Sequence, residues 1–348
     1  RHVTRNGVQL VLSADVTEFR PTPHGALEVL TADGQVYPAD LVVLGIGVRP
    51  ETWLAQNAGL EIGSLGGIRV DDQMRTSDPD IFAVGDAVEV KDFLTDDWSL
   101  LALAGPANRQ GRIAADVIAG RDARFRGVQG TAIIGLFGGA AAWTGVSEKT
   151  LTRRGDTDYE KIYLFPNSHA GYYPGAKYLA LKVIFRKSDG RLLGAQAVGL
   201  DGVDKRIDAL AMAIQLGATV DDLEEAELCY APQFGSAKSP VNFAGMVAGD
   251  VLRGDMPLVH WDASDGLLLL DVRQPGELAV EQAPGAVNIP LGELRSRLGE
   301  LPRDRAIGVI CRSGQRAYYA TRILLQHGFD ARTVAGGILS HAQFAGKN

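Results

Sequence analysis

The apolar run AIGVIC (306–311) ends in Cys311; Arg312, Ser313, Gly314 and Gln315 follow, and Arg316 opens a helix that runs to about His327. No other stretch constrains the chain as tightly. A strand that enters a glycine-containing loop and leaves as a helix can turn successive backbone N–H groups toward one atom, and the helix N-terminus adds positive potential there. Gly314 permits the backbone angles that such a loop needs. A thiol at its centre is expected to be thiolate in large part and placed to hold a terminal persulfide sulfur as an anion. The competing reading is a cysteine that packs as a small hydrophobe.

The segments around that loop read as alternating strands and helices: LLLLDVR (267–273), AIGVIC, the helix, then ARTVAGG (331–337). A boundary is expected near RGDMP (253–257). The preceding stretch has another style. Leu179, Leu181, Val183 and Phe185 alternate, Ser188-Asp189-Gly190 makes a turn, and LLGAQAVG returns, which predicts an antiparallel hairpin with one covered face. Val203, Ile207, Leu210 and Ile214 fall at helical spacing with Gly217 as cap. Thr219 with Asp222 resembles a capping box, and Pro240 and Gly254 bracket another helix.

The first 126 residues read as α/β. Val8–Leu12 is a short apolar run, Asp33-Gly34 signals a hairpin, and LVVLGIG (41–47) reads as a strand buried on both faces. IFAVGD (81–86) reads as a short buried strand, followed by a helix from about Gly105 to Ile118 that Gly120 stops. The pair Gly45-x-Gly47 lacks the third small residue of a dinucleotide fingerprint, since Pro50 stands there.

Composition narrows the classes. The formal charge is −7 over 348 residues, without the basic surplus of a nucleic-acid binder. Two cysteines exclude a disulfide scaffold and a multi-cysteine metal site, six scattered histidines form no ligand-spaced pair, and no metal is expected. Free cysteines and no visible signal peptide suit the cytoplasm. Residues 127–147 carry no charge, but six glycines favour a buried strand pair over a membrane helix.

Residues 255–348 resemble a rhodanese domain through LLLLDVRQPGEL, PGAVNIPLGEL, CRSGQR and VAGGI. The resemblance implies that Cys311 accepts and donates a sulfane sulfur. Arg316 lies five positions after Cys311, against six in the related tyrosine-phosphatase loop, and the shorter loop is implied to fit one sulfur better than a phosphate. Asp271 and Arg273 are implied to brace the module. TSDPDIFAVGD (76–86) resembles the second flavin-binding segment of the pyridine nucleotide–disulfide oxidoreductases, and GPANRQGR (105–112) the helix that runs past the flavin ring. Gly85, Asp86, Pro106 and Ala107 are the implied FAD-binding residues. Residues 127–252 are similar to the dimerisation domain of the coenzyme A disulfide reductases and their rhodanese-fused persulfide reductase relatives, carried by SHAGYYPGAKYLALKVIF and YAPQFGSAKSPVN. The resemblance implies that Tyr172 and Tyr230 approach the active site of the other subunit of a homodimer. There a phenol could donate a proton to a leaving thiolate. Asn108 and Lys238 are implied to meet the anionic CoA substrate. Cys229 is expected to be a packing residue.

The expected architecture is therefore multidomain, α/β and α+β: the end of doubly wound FAD/NAD(P)-binding domains (1–126), an antiparallel-sheet dimerisation domain (127–253) and a rhodanese-like α/β domain (254–348). No G-x-G-x-x-G fingerprint follows a strand, so the chain is expected to be the later part of a longer protein that carries the redox cysteine elsewhere. The expected activity is NAD(P)H-dependent, FAD-mediated reduction of CoA disulfide, CoA persulfide or polysulfide, with Cys311 and Arg316 serving sulfur transfer. The alternatives are a sulfurtransferase alone, an NADH oxidase or peroxidase, and a non-catalytic dimerisation module.

Overall fold

The computed structural model describes residues 2–341. They fall into two compact units, residues 2–91 with 97–128, and residues 92–96 with 129–341.

The first unit holds two small sheets. Strands β1 (Val16–Pro21), β2 (Leu27–Thr31) and β3 (Val36–Ala39) form an antiparallel sheet whose second turn is the expected Asp33-Gly34 hairpin. Strand β4 (Ile68–Arg69) runs parallel to β5 (Val88–Lys91), and β6 (Trp98–Leu100) pairs antiparallel on the other side of β5. Val70, Met74, Val88, Val90 and Phe125 pack with Ala114 of helix Ala104–Ile118, one residue longer than expected at its start. Three expectations fail here. LVVLGIG forms no strand, and Val43 and Ile46 are 82% and 88% exposed. A run buried on both faces requires a paired strand on each side, and none among the described residues pairs with 41–47. Val8–Leu12 likewise stays outside any strand and exposed. IFAVGD is not a strand either: it makes one bridge, Arg75 to Phe82, and the ladder begins only at Val88, after Gly85 turns the chain at φ +87°.

The second unit contains two five-stranded sheets. The first is antiparallel throughout, in the order β7 (Ala132–Leu136), β8 (Gly139–Gly145), β11 (Leu192–Gly199), β10 (Leu179–Arg186), β9 (Tyr159–Leu164). The alternation of β10 buries Leu181, Val183 and Phe185 against Ile207, Leu210 and Ile214 of helix Val203–Gln215 and against Ala244 and Ala248 of helix Pro240–Leu252. The Thr219–Asp222 capping box forms as expected at helix Val220–Glu225. Residues 127–147 do form a strand pair, but Ile133 and Ile134 on β7 are exposed. Helix Val203–Gln215 packs on β8 and β11, leaving the edge strand uncovered. Among the described residues no helix is long and apolar enough to cross a membrane.

Glu148 joins the sheet electrostatically, since Lys161 and Lys182 both bond its carboxylate. Burial pushes that carboxyl up, but the two ammonium groups outweigh it and hold it at about 2. A carboxyl lowered on folding stabilises above its unfolded pKa and loses that contribution as pH falls. Acid titration is therefore expected to weaken this sheet between about pH 4.5 and 2, and Glu148→Gln to flatten that limb of the unfolding curve.

The second sheet of this unit is parallel throughout, β12 (Leu258–Val259), β16 (Ala331–Val334), β15 (Ile307–Ile310), β13 (Leu268–Asp271), β14 (Val287–Asn288). Helix Gln315–Gln326 packs on β15 and β16. At the end of β13, buried Asp271 accepts from Arg273 Nε and Nη2, at 2.6 Å for the latter, and Asn288 Nδ2 donates to the carbonyls of Asp271 and Arg273. The pair braces the strand ends, as expected. Arg273→Leu leaves the carboxylate buried and unpaired, and urea unfolding is expected to register a loss of about 3–5 kcal/mol.

Candidate functional site

Cys311 follows the last residue of β15 and is buried among Leu270, Val309, Ala317 and Leu324. Its Sγ accepts a hydrogen bond from the Gly314 N–H at 3.1 Å, and Gly314 sits at φ +107°. The thiol is thus both packed and addressed by the loop. A second segment clamps that loop: the Ile338 and Leu339 N–H groups donate to the Cys311 and Arg312 carbonyls, each at 3.0 Å. A Cβ at Gly337 would lie 2.3 Å from the Cys311 carbonyl oxygen, so only glycine lets VAGGI come this close.

The two arginines of the loop are both engaged. The Arg316 guanidinium donates from Nη1 and Nη2 to the two oxygens of Glu277, each at 2.7 Å. Its partner arginine holds the Glu277 carboxyl at about 2. The Arg312 guanidinium lies 6.0 Å from the ring centre of Tyr178 at the start of the first sheet's β10. Sequence reasoning missed Glu277. Its signal was available in QPGE: Gln274 and Glu277 form a capping box around Pro275, which fixes where the carboxylate emerges.

Ser313, Gly314 and Gln315 open onto a cavity of about 650 Å³. Its other lining includes Tyr178, Phe243 and Lys238. Lys238 Nζ stands 5.8 Å over the Phe243 ring. The cavity thus lies within one compact unit and joins the Cys311 loop to residues of the antiparallel sheet and its helices.

Elsewhere in the same unit, the hydroxyls of Tyr172 and Tyr230 are 2.8 Å apart and both side chains are exposed. The hydrogen bond to Tyr172 raises the Tyr230 pKa, with burial a smaller contribution. Tyr173 instead packs edge-on against His169. Cys229 is exposed, contrary to its expected packing role, because residues 226–231 run outside any helix or strand.

In the first unit, the Gly85 N–H donates to Gln110 Oε1 at 2.7 Å, and a Cβ at Gly85 would come to 3.9 Å from Ala107. The Gly85-Asp86 turn therefore rests on the first half of helix Ala104–Ile118. Asp86 and Asn108 are exposed there, and Pro106 occupies the first turn. The N-cap, Leu103, gives that helix no side-chain hydrogen bond, so its first N–H groups and its dipole are available to an anion or a carbonyl. Gln110 was not legible in the sequence, since an amide at that spacing could equally face water.

Residues 1–111 match the family described as pyridine nucleotide-disulphide oxidoreductase, residues 134–239 its dimerisation domain, and residues 258–342 the rhodanese-like domain. The chain belongs to the pyridine nucleotide-disulphide oxidoreductases. Within that family its rhodanese-like domain is shared with solved structures. Reduced Bacillus anthracis CoADR-RHD is 44% identical with a TM-score of 0.93, over 97% of this chain and 61% of that one. An NAD-dependent persulfide reductase from A. fulgidus is 38% identical with a TM-score of 0.89, over 97% of this chain and 62% of that one. A coenzyme A disulfide reductase of Staphylococcus aureus is 35% identical over 222 residues, 64% of this chain and 50% of its own length. The chain spans about half the length of the curated relatives it matches.

Proposed function

We propose that this chain serves an NAD(P)H-dependent, FAD-linked reduction of CoA disulfide, CoA persulfide or polysulfide, in which Cys311 carries the sulfane sulfur. The observation that carries the reading is the shared cavity. The Cys311 loop and Lys238 of the dimerisation domain face one space of about 650 Å³ in the same compact unit. That volume suits an organic thiol or persulfide rather than a small inorganic anion alone.

The residues present fit a flavin. Gly85 leaves the turn without a side chain, Asp86 offers an exposed carboxylate for ribityl hydroxyls, and the uncapped helix start with Pro106 and Ala107 lies beside them. A bound flavin would supply electron transfer from nicotinamide to sulfur. The protein's own contributions follow from the geometry. Lys238 would attract the anionic parts of CoA. The raised Tyr230 phenol stays protonated at neutral pH, and with Tyr172 it would donate to a leaving thiolate across a homodimer. Arg316 would border the loop with its guanidinium fork held by Glu277. The relatives named for CoA disulfide and persulfide reduction support this reading.

The test is anaerobic NAD(P)H oxidation by the purified protein. The reading expects the rate to rise with CoA disulfide or CoA persulfide. A rate equal with and without these acceptors would overturn it.

A further inference from the structure

Glu277 takes up the Nη1–Nη2 fork of Arg316, the arginine that follows Gly314 and Gln315 in the loop. Arg316 spends Nη1 and Nη2 on the two carboxylate oxygens at 2.7 Å each. This bidentate fork is the geometry by which a guanidinium would otherwise grip a sulfonate or phosphate. Arg312 faces the Tyr178 ring. The cavity beyond the loop adds one ammonium, Lys238, and two carboxylates, Glu224 and Asp250. Close to Cys311 the loop therefore offers backbone N–H groups and the exposed Arg312, while the fork of Arg316 is already paired.

We infer that Glu277 is a specificity-determining residue, which turns the Cys311 loop away from thiosulfate and other dianionic donors and toward organic persulfides seated in the adjoining cavity. This rests on the sulfurtransferase reading of Cys311 and names its donor class. In the favoured step the Cys311 thiolate attacks the outer sulfur of R–S–SH. A new S–S bond forms on Cys311, the old S–S bond breaks, and R–S leaves with the electron pair and takes the proton as R–SH. Electrons and atoms balance without an external oxidant. In the disfavoured step the same thiolate attacks the outer sulfur of thiosulfate and expels sulfite. That leaving group carries two negative charges, which a free Arg316 would stabilise and an occupied one does not.

Glu277→Gln frees the guanidinium without changing the side-chain size. The expected result is a rise of about tenfold in the ratio of thiosulfate to glutathione persulfide kcat/KM, together with competitive inhibition by sulfate. The double variant Glu277→Gln/Arg316→Gln is expected to bring the ratio back, whereas a merely structural Glu277 would lower both donors together. In the unaltered protein, a large excess of sulfate is expected to leave transfer from glutathione persulfide uninhibited. Competition by sulfate in that protein, or an unchanged donor ratio in Glu277→Gln, overturns the inference while leaving Cys311 as sulfur carrier. Failure of the unaltered protein to load sulfur on Cys311 from either donor overturns that reading and this inference with it.

Discussion

Cys311→Ser is expected to abolish sulfur transfer, with kcat falling about a thousandfold or more while the fold persists. Loss of a covalent nucleophile typically costs this much, and often more, because what remains is only binding and the polar loop. The serine oxygen can still accept from the Gly314 N–H, which now addresses Sγ at 3.1 Å. It occupies nearly the volume that Leu270, Val309 and Leu324 enclose. The packing reading of Cys311 makes the opposite forecast, a small change in stability and none in transfer. Thiosulfate or persulfide with cyanide as acceptor, read beside a thermal melt, separates the two. Equal activity in the serine variant would remove Cys311 from the chemistry.

The second large effect is expected at the tyrosines. Tyr172 and Tyr230 are 58 positions apart and their hydroxyls share one hydrogen bond of 2.8 Å. Proton donation by a positioned phenol contributes about 10²–10⁴-fold. Tyr230→Phe is therefore expected to slow reduction of CoA disulfide about a hundredfold. The pair acts through a single bond, so Tyr172→Phe added to Tyr230→Phe should cost little more than the first change alone. Fully multiplicative losses would mean that the two hydroxyls act independently. Steady-state rates of the two single variants and the double variant decide this.

The parallel sheet was legible in sequence because its partners lie near one another along the chain. AIGVIC, LLLLDVR and ARTVAGG pair among themselves, and the helix from Gln315 covers them. The hairpin around Ser188-Asp189-Gly190 was legible for the same reason: its period of two and its turn chemistry agree. LVVLGIG misled because an apolar run specifies burial only where strands flank it, and its neighbours in sequence supply none. Cys311, Gly314 and Arg316 announced the loop, but the partner of Arg316 did not. Glu277 lies 39 residues earlier, and no local pattern ties the two together. The meeting of Tyr172 with Tyr230 was likewise invisible to spacing. Only the family resemblance named both, and the fold brings their hydroxyls into one hydrogen bond.

Sulfur held on Cys311 is expected to be what the reductive half consumes. The direct measurement is to load the protein with persulfide sulfur, remove excess donor, and verify one added sulfur on Cys311 by peptide mass. NAD(P)H and CoA are then supplied without oxygen, and protein-bound sulfur and released sulfide are followed together. Transfer to CoA restores the Cys311 thiolate and forms CoA persulfide, and hydride from NAD(P)H then yields CoA thiol and hydrosulfide. The expected result is that sulfur leaves Cys311 with one equivalent of sulfide released and one of NAD(P)H consumed. NAD(P)H consumption that leaves the Cys311 sulfur in place would contradict it.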